Sequence, residues 1–349
     1  MESRRFLQQL RDLLASEGLT IAGVAAAAAL PQKERAFAQF LSRGYAGTMS
    51  YLRHQFPKRY RPGALVDGSR SIVFVALSYN RAMPERPEVP SHGRVARYAQ
   101  GRDYHKVIGN RLRRVVKRLR EEYPDEVFRS FTDATPLSER VYAARAGVGF
   151  HGRHTLLINP TLGSWFLLGE ILTSVEVTPT GYPASARPYC PPGCRRCLHA
   201  CPTDAIYAPH RFNATRCISY LTIEHQGRIE PELRGHMQDW LFGCDRCQEV
   251  CPLNRHAAKT SEGDFLTDNA GPFVPLSEIL ALDSDDAVRA RFAGSPLLRA
   301  KRRGLVRNAC IVAANLGATD VTPQLQELSR DEDEVVREHA SWALRRLSG

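Results

Sequence analysis

In the stretch DYHKVIGNRLRRVVKRLREEY, Asp103 to Tyr123, apolar residues fall at Val107, Ile108, Leu112, Val115, Val116 and Leu119. This is the spacing of one helix face, and it predicts a helix on a core with Arg113, Arg114, Lys117, Arg118 and Arg120 turned to solvent. FLQQLRDLLASEG, closed by Gly18, predicts a second amphipathic helix. The β-branched run SIVFVAL, Ser71 to Leu77, predicts a buried strand, and VFRSFTD, Val127 to Asp133, another. TLLIN (Thr155 to Asn159) and SWFLLGEILTSVEV (Ser164 to Val177) are strand-like and joined by PTLG, which predicts a hairpin. Between these strands, Thr135 is placed to cap a helix with Pro136 in its first position and Gly147 as its stop. Such a mixture predicts an α/β or α+β fold with a mixed sheet, the α+β form being the expectation here, with Asp133 at the exit of a strand, where open sheets place ligand-contacting residues.

Beyond about residue 270 the pattern is helical and echoes itself. VRNACIVAANLG and VREHASWALRRL align with an offset of 30, matching Val306 to Val336, Arg307 to Arg337 and Ala313 to Ala343, as a pair of HEAT-like repeats would. At 349 residues the chain has room for two or three cores. Its charge of +11, from 48 Lys and Arg against 37 Asp and Glu, favours a polyanionic partner, although a generally basic enzyme shares that balance. The stretch RAKRRGLVR, Arg299 to Arg307, concentrates the charge and reads as a docking surface for phosphates. SRRFL, Ser3 to Leu7, resembles a twin-arginine leader, but Asp12 and Glu17 interrupt the region before the apolar run LTIAGVAAAAALP. No run of 18 apolar residues occurs, so no membrane span is expected.

Eight of nine cysteines lie between Cys190 and Cys251, in a chain too large for a disulfide scaffold. The spacings are Cys190-x3-Cys194-x2-Cys197-x3-Cys201-Pro202, then Cys217, then Cys244-x2-Cys247-x3-Cys251-Pro252. The ending C-x2-C-x3-C-P belongs to bacterial two-cluster ferredoxins, in which the fourth cysteine serves the other cluster. Tetrahedral zinc does not require that ending. Crossing the fourth ligands would join Cys190, Cys194, Cys197 and Cys251 in one 4Fe-4S site, and Cys201, Cys217, Cys244 and Cys247 in the other. Two departures stand out: PPG makes the first spacing one residue too long at Cys190, and 26 residues separate Cys217 from Cys244.

Several strings resemble the epoxyqueuosine reductase family nearly end to end. They are RYAQGRDYHKVI, TDATPLSERVYAARAGVGFHGRHTLLINPTLGSWFLLGEILT, ACPTDAI, RCISYLTIEHQG, FGCDRCQEVCPLNR and SPLLRAKRRGLVRNACIVAANLG. The resemblance implies a nitroreductase-like cobalamin-binding domain over residues 1–180, a ferredoxin-type domain with two 4Fe-4S clusters over 181–265, and a HEAT-like tRNA-docking domain over 270–349. It implies reduction of epoxyqueuosine to queuosine in the anticodon loop of tRNA, with electrons passing through the clusters to cobalamin from an external donor not legible in the chain.

Residue by residue, the resemblance implies Asp133 of TDATPLSER as proton donor; from spacing alone the same residue equally reads as a capping or turn aspartate. By motif, cobalamin contacts are expected at Arg59, Arg97, Asp133, Arg140, Ser219 and Glu224, each of which has an ordinary structural reading as well. Phosphate contacts are expected at Arg299, Lys301, Arg302, Arg303 and Arg307, and the protein is expected to be cytoplasmic and monomeric.

Overall fold

The computed structural model describes residues 2–89, 91–133, 135–181 and 189–349. Ala134 of the TDATPLSER motif and most of the junction between the first two expected domains lie outside the described residues, as do the side chains of Ser3 and Arg4.

Four strands, β1 (Ile21–Ala26), β2 (Ser71–Ser78), β4 (Phe128–Phe131) and β7 (Phe166–Thr173), form an antiparallel sheet in the order β1-β2-β7-β4. The strand β7 is central and pairs along its whole length with β2, from Ser71 opposite Thr173 to Ser78 opposite Phe166. One face of the sheet is covered by the helices Glu2–Ser16 and Tyr104–Glu122, whose Leu10, Leu14, Ile108, Leu112 and Val115 are buried against Val73, Val75 and Ile171. Each such buried aliphatic side chain contributes roughly 1.5–3 kcal/mol. Gly169 lets the long helix approach this closely: a Cβ there would stand 2.6 Å from Ile108 and 2.7 Å from Leu112. The helix Glu139–Arg145 covers the opposite face, with Tyr142 and Ala143 against Phe74, Leu168 and Leu172.

Two local expectations change. The helix after β4 starts at Glu139 behind Ser138, not behind Thr135. Asp133 takes φ +50, which turns the chain before a helix can begin. The expected PTLG hairpin reduces to a single bridge, Asn159 to Gly163. Its flanks go to different sheets, because β6 (Leu157–Ile158) pairs with β5 (Phe150–His151), whereas β7 joins the large sheet.

A second, three-stranded sheet ties the chain together. Its strand β3 (His92–Val95) lies between β8 (Trp240–Phe242), which is parallel to it, and β9 (Phe273–Pro275), which is antiparallel. Each of the three expected segments therefore supplies one strand. The C-terminal helices Lys301–Leu316 and Glu334–Ser348 pack together, and Val306, Ala313, Val336 and Ala343 are all buried in one core that also takes in Val95, Leu241 and Phe242. Cys310 is buried in the same core.

Candidate active site and cysteine centres

Asp133 follows β4 by two residues, at the end of the large sheet, and its side chain is 55% exposed. One carboxylate oxygen accepts a 2.5 Å hydrogen bond from the Tyr104 hydroxyl, and His105 Nε2 stands 3.8 Å away. Both neighbours come from the first turn of the helix Tyr104–Glu122. Asp103 caps that turn by accepting from the His105 backbone N–H at 3.0 Å, and its carboxylate lies 2.8 Å from His105 Nδ1. Burial, reinforced by the Asp133 charge, holds the Tyr104 hydroxyl protonated and donating. Partial burial works against a charged His105, yet its bond to Asp103 and the charges of Asp103 and Asp133 raise its pKa above the ordinary histidine value.

Two further carboxyls lie beneath Asp133. Glu139 opens the following helix, and Glu170 sits in β7 opposite Phe131 and Phe74. Burial, then the charge of Asp133, pushes Glu139 up to about 8, while Arg140 and Arg59 pull it down. Burial and the charges of Glu139 and Asp133 push Glu170 far above the usual carboxylate range. Among the described residues, Oε2 of Glu139, Oε2 of Glu170, Oγ1 of Thr132 and Nε of Arg59 are buried without a hydrogen-bond partner.

Of the residues expected at the cofactor, Asp133, Arg59, Arg140 and Glu224 come together. The Arg59 carbonyl accepts from the Ser138 N–H at 2.9 Å, which sets Arg59 beside Glu139 and Arg140, and its guanidinium lies 5.0 Å from the Phe37 ring. Glu224 pairs with Arg299 at 2.9 Å. Tyr51 links the two halves: burial and then the charge of Glu224 push it up to about 12, and it also feels Arg299, Asp133 and Arg59. Ser219 is half-buried in the helix Ile218–Ile223, two residues past Cys217.

Arg97 is the exception. Its backbone N–H donates to Asp245 at 2.8 Å, while its guanidinium donates to Asn80 at 3.2 Å and stacks 4.3 Å from the Trp165 ring. The side chain thus lines a separate cleft of about 760 Å³, and its neighbour Tyr98 is the residue that feels the Asp133 charge. Sequence reasoning isolated none of Tyr104, His105, Glu139 and Glu170. Glu170 carried a signal, as the lone charge within the apolar run FLLGEILT, since charged residues are almost never fully buried without a reason.

All eight clustered cysteines are free thiols. Cys190, Cys194, Cys197 and Cys251 line one cavity together with Arg153 and His154. Burial pushes the Cys197 thiol up to about 11, with Cys190, Cys251 and Cys194 adding to the effect. A second group forms around Cys247, which feels Cys217 and Cys201, and around Cys244, which feels Cys217 and Cys247. Both thiols are pushed far up, chiefly by burial. The short helices Arg196–His199 and Arg246–Glu249, one within each C-x2-C-x3-C-P turn, pack against each other, so the groups adjoin. Buried thiols that crowd one another stay protonated until a cation claims the thiolates.

The C-terminal cations differ from expectation. Arg299 is paired with Glu224, Arg302 with Asp331, and Arg303 with Asp333. Arg307 is 0% exposed and donates to the carbonyls of Leu221 (2.5 Å), His225 (2.6 Å) and Gly227 (2.9 Å). It is an internal brace and not a surface contact for phosphate, which corrects that assignment. Lys301 is exposed and, among the described residues, has no ion-pair partner.

A family model described as epoxyqueuosine reductase QueG, DUF1730, matches residues 59–134, and one described as a 4Fe-4S double cluster binding domain matches residues 190–254. An epoxyqueuosine reductase of Xanthomonas campestris pv. campestris is 40% identical over 320 residues, covering 90% of this chain and 89% of that relative. One of Pseudomonas aeruginosa is 37% identical over 348 residues, 98% of this chain and 94% of the relative. Among solved structures, an epoxyqueuosine reductase with an epoxyqueuosine-modified tRNA-Tyr stem loop superposes with a TM-score of 0.91 at 28% identity, over 99% of this chain and 91% of that one. The enzyme from Streptococcus thermophilus gives 0.87 at 26% identity, over 97% and 90%. With its central sheet, its double-cluster segment and these matches along nearly its whole length, the chain belongs to the epoxyqueuosine reductase family of oxidoreductases.

Proposed function

We propose that this protein reduces epoxyqueuosine to queuosine in the anticodon loop of tRNA, with Asp133 delivering a proton to the epoxide oxygen. The observation that carries the reading is the setting of Asp133: half-exposed at the end of the sheet, steered by the Tyr104 hydroxyl, with His105 beside it. The net change consumes two electrons and two protons and releases the epoxide oxygen as water. Tyr104 and the capped turn at Asp103 orient the acid, and Asp133 gives up its proton as the carbon–oxygen bond breaks.

The residues fit the groups such a reduction needs. Two sets of four free thiols, crossed between the two C-x2-C-x3-C-P turns, suit two 4Fe-4S clusters; Cys190 lines its cavity despite the longer spacing. The unpartnered buried atoms of Arg59, Thr132, Glu139 and Glu170 suit the amide arms of a corrin, which both donate and accept. Arg140, Ser219 and Glu224 complete the proposed cobalamin contacts, and Arg97 would reach the group only from the neighbouring cleft. When bound, these groups supply the two electrons.

In this reading residues 1–180 are a nitroreductase-like cobalamin domain, 181–265 the cluster domain and 270–349 a HEAT-like docking domain. Lys301 is the readiest phosphate contact; Arg299, Arg302 and Arg303 would have to exchange a carboxylate for a phosphate. A tRNA substrate argues for the cytoplasm, and the reading takes the protein as a monomer. Among the described residues no helix is long and apolar enough to cross a membrane.

The test is Asp133→Asn in cells and with reconstituted enzyme. Epoxyqueuosine should accumulate in tRNA and turnover should fall by about 10²–10⁴-fold, while cluster absorbance persists. Normal queuosine in that strain would overturn the acid assignment.

A further inference from the structure

The cleft that Arg97 enters adjoins the first cysteine centre. Arg196, Cys251 and Pro252 line both the cleft and the cysteine cavity. Around an apolar floor of Trp165, Ala200 and Val250 stand His199, Arg255 and Lys259. Arg196, Arg255 and Lys259 are exposed and, among the described residues, none has a carboxylate partner; Lys259 reaches only the Asn80 side-chain oxygen, at 3.5 Å. Among the described residues Glu249 is the sole acid in the lining, and it is already held by Arg94. These cations are therefore free to meet an outside anion, unlike Arg299, Arg302 and Arg303, which are paired with carboxylates.

We propose that this cleft is where electrons enter: it docks a small acidic protein carrying a low-potential one-electron centre, of which a flavodoxin is a representative. An apolar floor with a charged rim is the anatomy of a transient protein interface, and steering by opposite charge raises encounter rates. A nucleic acid would gain nothing from lying against a cysteine centre, whereas a carrier must come within electron-transfer reach of one. Each encounter would oxidise the carrier by one electron and pass that electron to the cluster that Cys190, Cys194, Cys197 and Cys251 would hold. No bond forms or breaks, and two encounters supply one epoxide.

This inference rests on the two-cluster reading above, and the experiment separates the two. Reconstituted enzyme is reduced in a stopped-flow instrument by flavodoxin hydroquinone and, in parallel, by photogenerated deazariboflavin radical, which is small and neutral. The Arg255→Glu/Lys259→Glu variant should lose about tenfold or more of the second-order rate with flavodoxin at low salt, and keep its rate with the radical and its cluster absorbance. In the unaltered enzyme the flavodoxin rate should fall as salt is raised and the radical rate should not. A salt-independent flavodoxin rate overturns the proposal whatever the variant does. So does a variant that reduces normally with flavodoxin but loses affinity for the tRNA stem loop or for cobalamin, because the cleft then belongs to one of those ligands. Absence of clusters in unaltered, reconstituted enzyme would instead sink the two-cluster reading.

Discussion

The C-terminal helices and the end of the sheet at Asp133 both concentrate charge, and they treat it in opposite ways. In the C-terminal layer the arginines of the basic stretch are held within the chain: Arg302 with Asp331, Arg303 with Asp333, and Arg307 with three backbone carbonyls. At the sheet end, buried side-chain atoms of Glu139, Glu170, Thr132 and Arg59 have none among the described residues. A polar group that the fold has satisfied braces the fold; one buried and left open costs free energy until a ligand satisfies it. Charge density in a sequence does not distinguish the two conditions.

The largest effect should come from the braced side. Arg307→Ala leaves three carbonyls, one buried and two partly buried, without this donor and should destabilise the chain by about 3 kcal/mol or more, read as a lowered urea midpoint. A stable variant with weakened tRNA binding would restore Arg307 to the docking surface and break the contrast.

Next comes the open side. Glu139 holds its proton in the folded chain until about pH 8 but would lose it near 4.5 when unfolded. The stability tied to that proton is full below pH 4.5 and is lost as pH rises through about 8. The melting temperature of the cofactor-free chain should therefore fall between pH 4.5 and about 8, and fall less in Glu139→Gln. Parallel profiles would mean that this carboxyl is satisfied after all.

Smaller still, Arg302→Ala and Asp331→Ala should each cost about 1 kcal/mol, and together little more than either alone, because they share one partly buried pair. Fully additive losses would show that the pair contributes nothing. The smallest effect belongs to Lys301→Ala, which should leave stability unchanged, weaken tRNA binding and reduce the slope of log affinity against log salt by about 1. An unchanged slope would leave the C-terminal layer without a phosphate contact at this position.

What the chain disclosed about itself followed from periodicity and spacing. The long helix was legible because Val107 to Leu119 repeat at helical intervals, and it runs from Tyr104 to Glu122. The two cysteine sets were legible because C-x2-C-x3-C-P occurs twice. The state of the cations was hidden, because their partners lie 29, 30 and 75 positions away. Two of those separations nearly match the 30-residue echo of the C-terminal helices, so the pattern recorded the repeat but not the bonds that join its copies. Tyr104 and His105 were hidden for another reason: their approach to Asp133 depends on that residue's left-handed backbone, which no propensity announces. The PTLG turn misled because a local signal cannot say to which sheet each flanking strand belongs.

The 26 residues between Cys217 and Cys244 carry a consequence for how the protein is made. Tyr220 reaches back to accept from the Thr48 backbone at 2.8 Å, Thr222 accepts from Gly243, and Leu221 offers its carbonyl to Arg307. Both ends of this segment are ligands of the same proposed cluster, so iron would clamp shut the loop that the N-terminal and C-terminal layers both grip. With that cluster in place, maturation and folding would share one bottleneck: a chain deprived of iron would lack the staple of its last helices, and oxidative loss of one cluster would spread outward as unfolding and expose the protein to proteolysis.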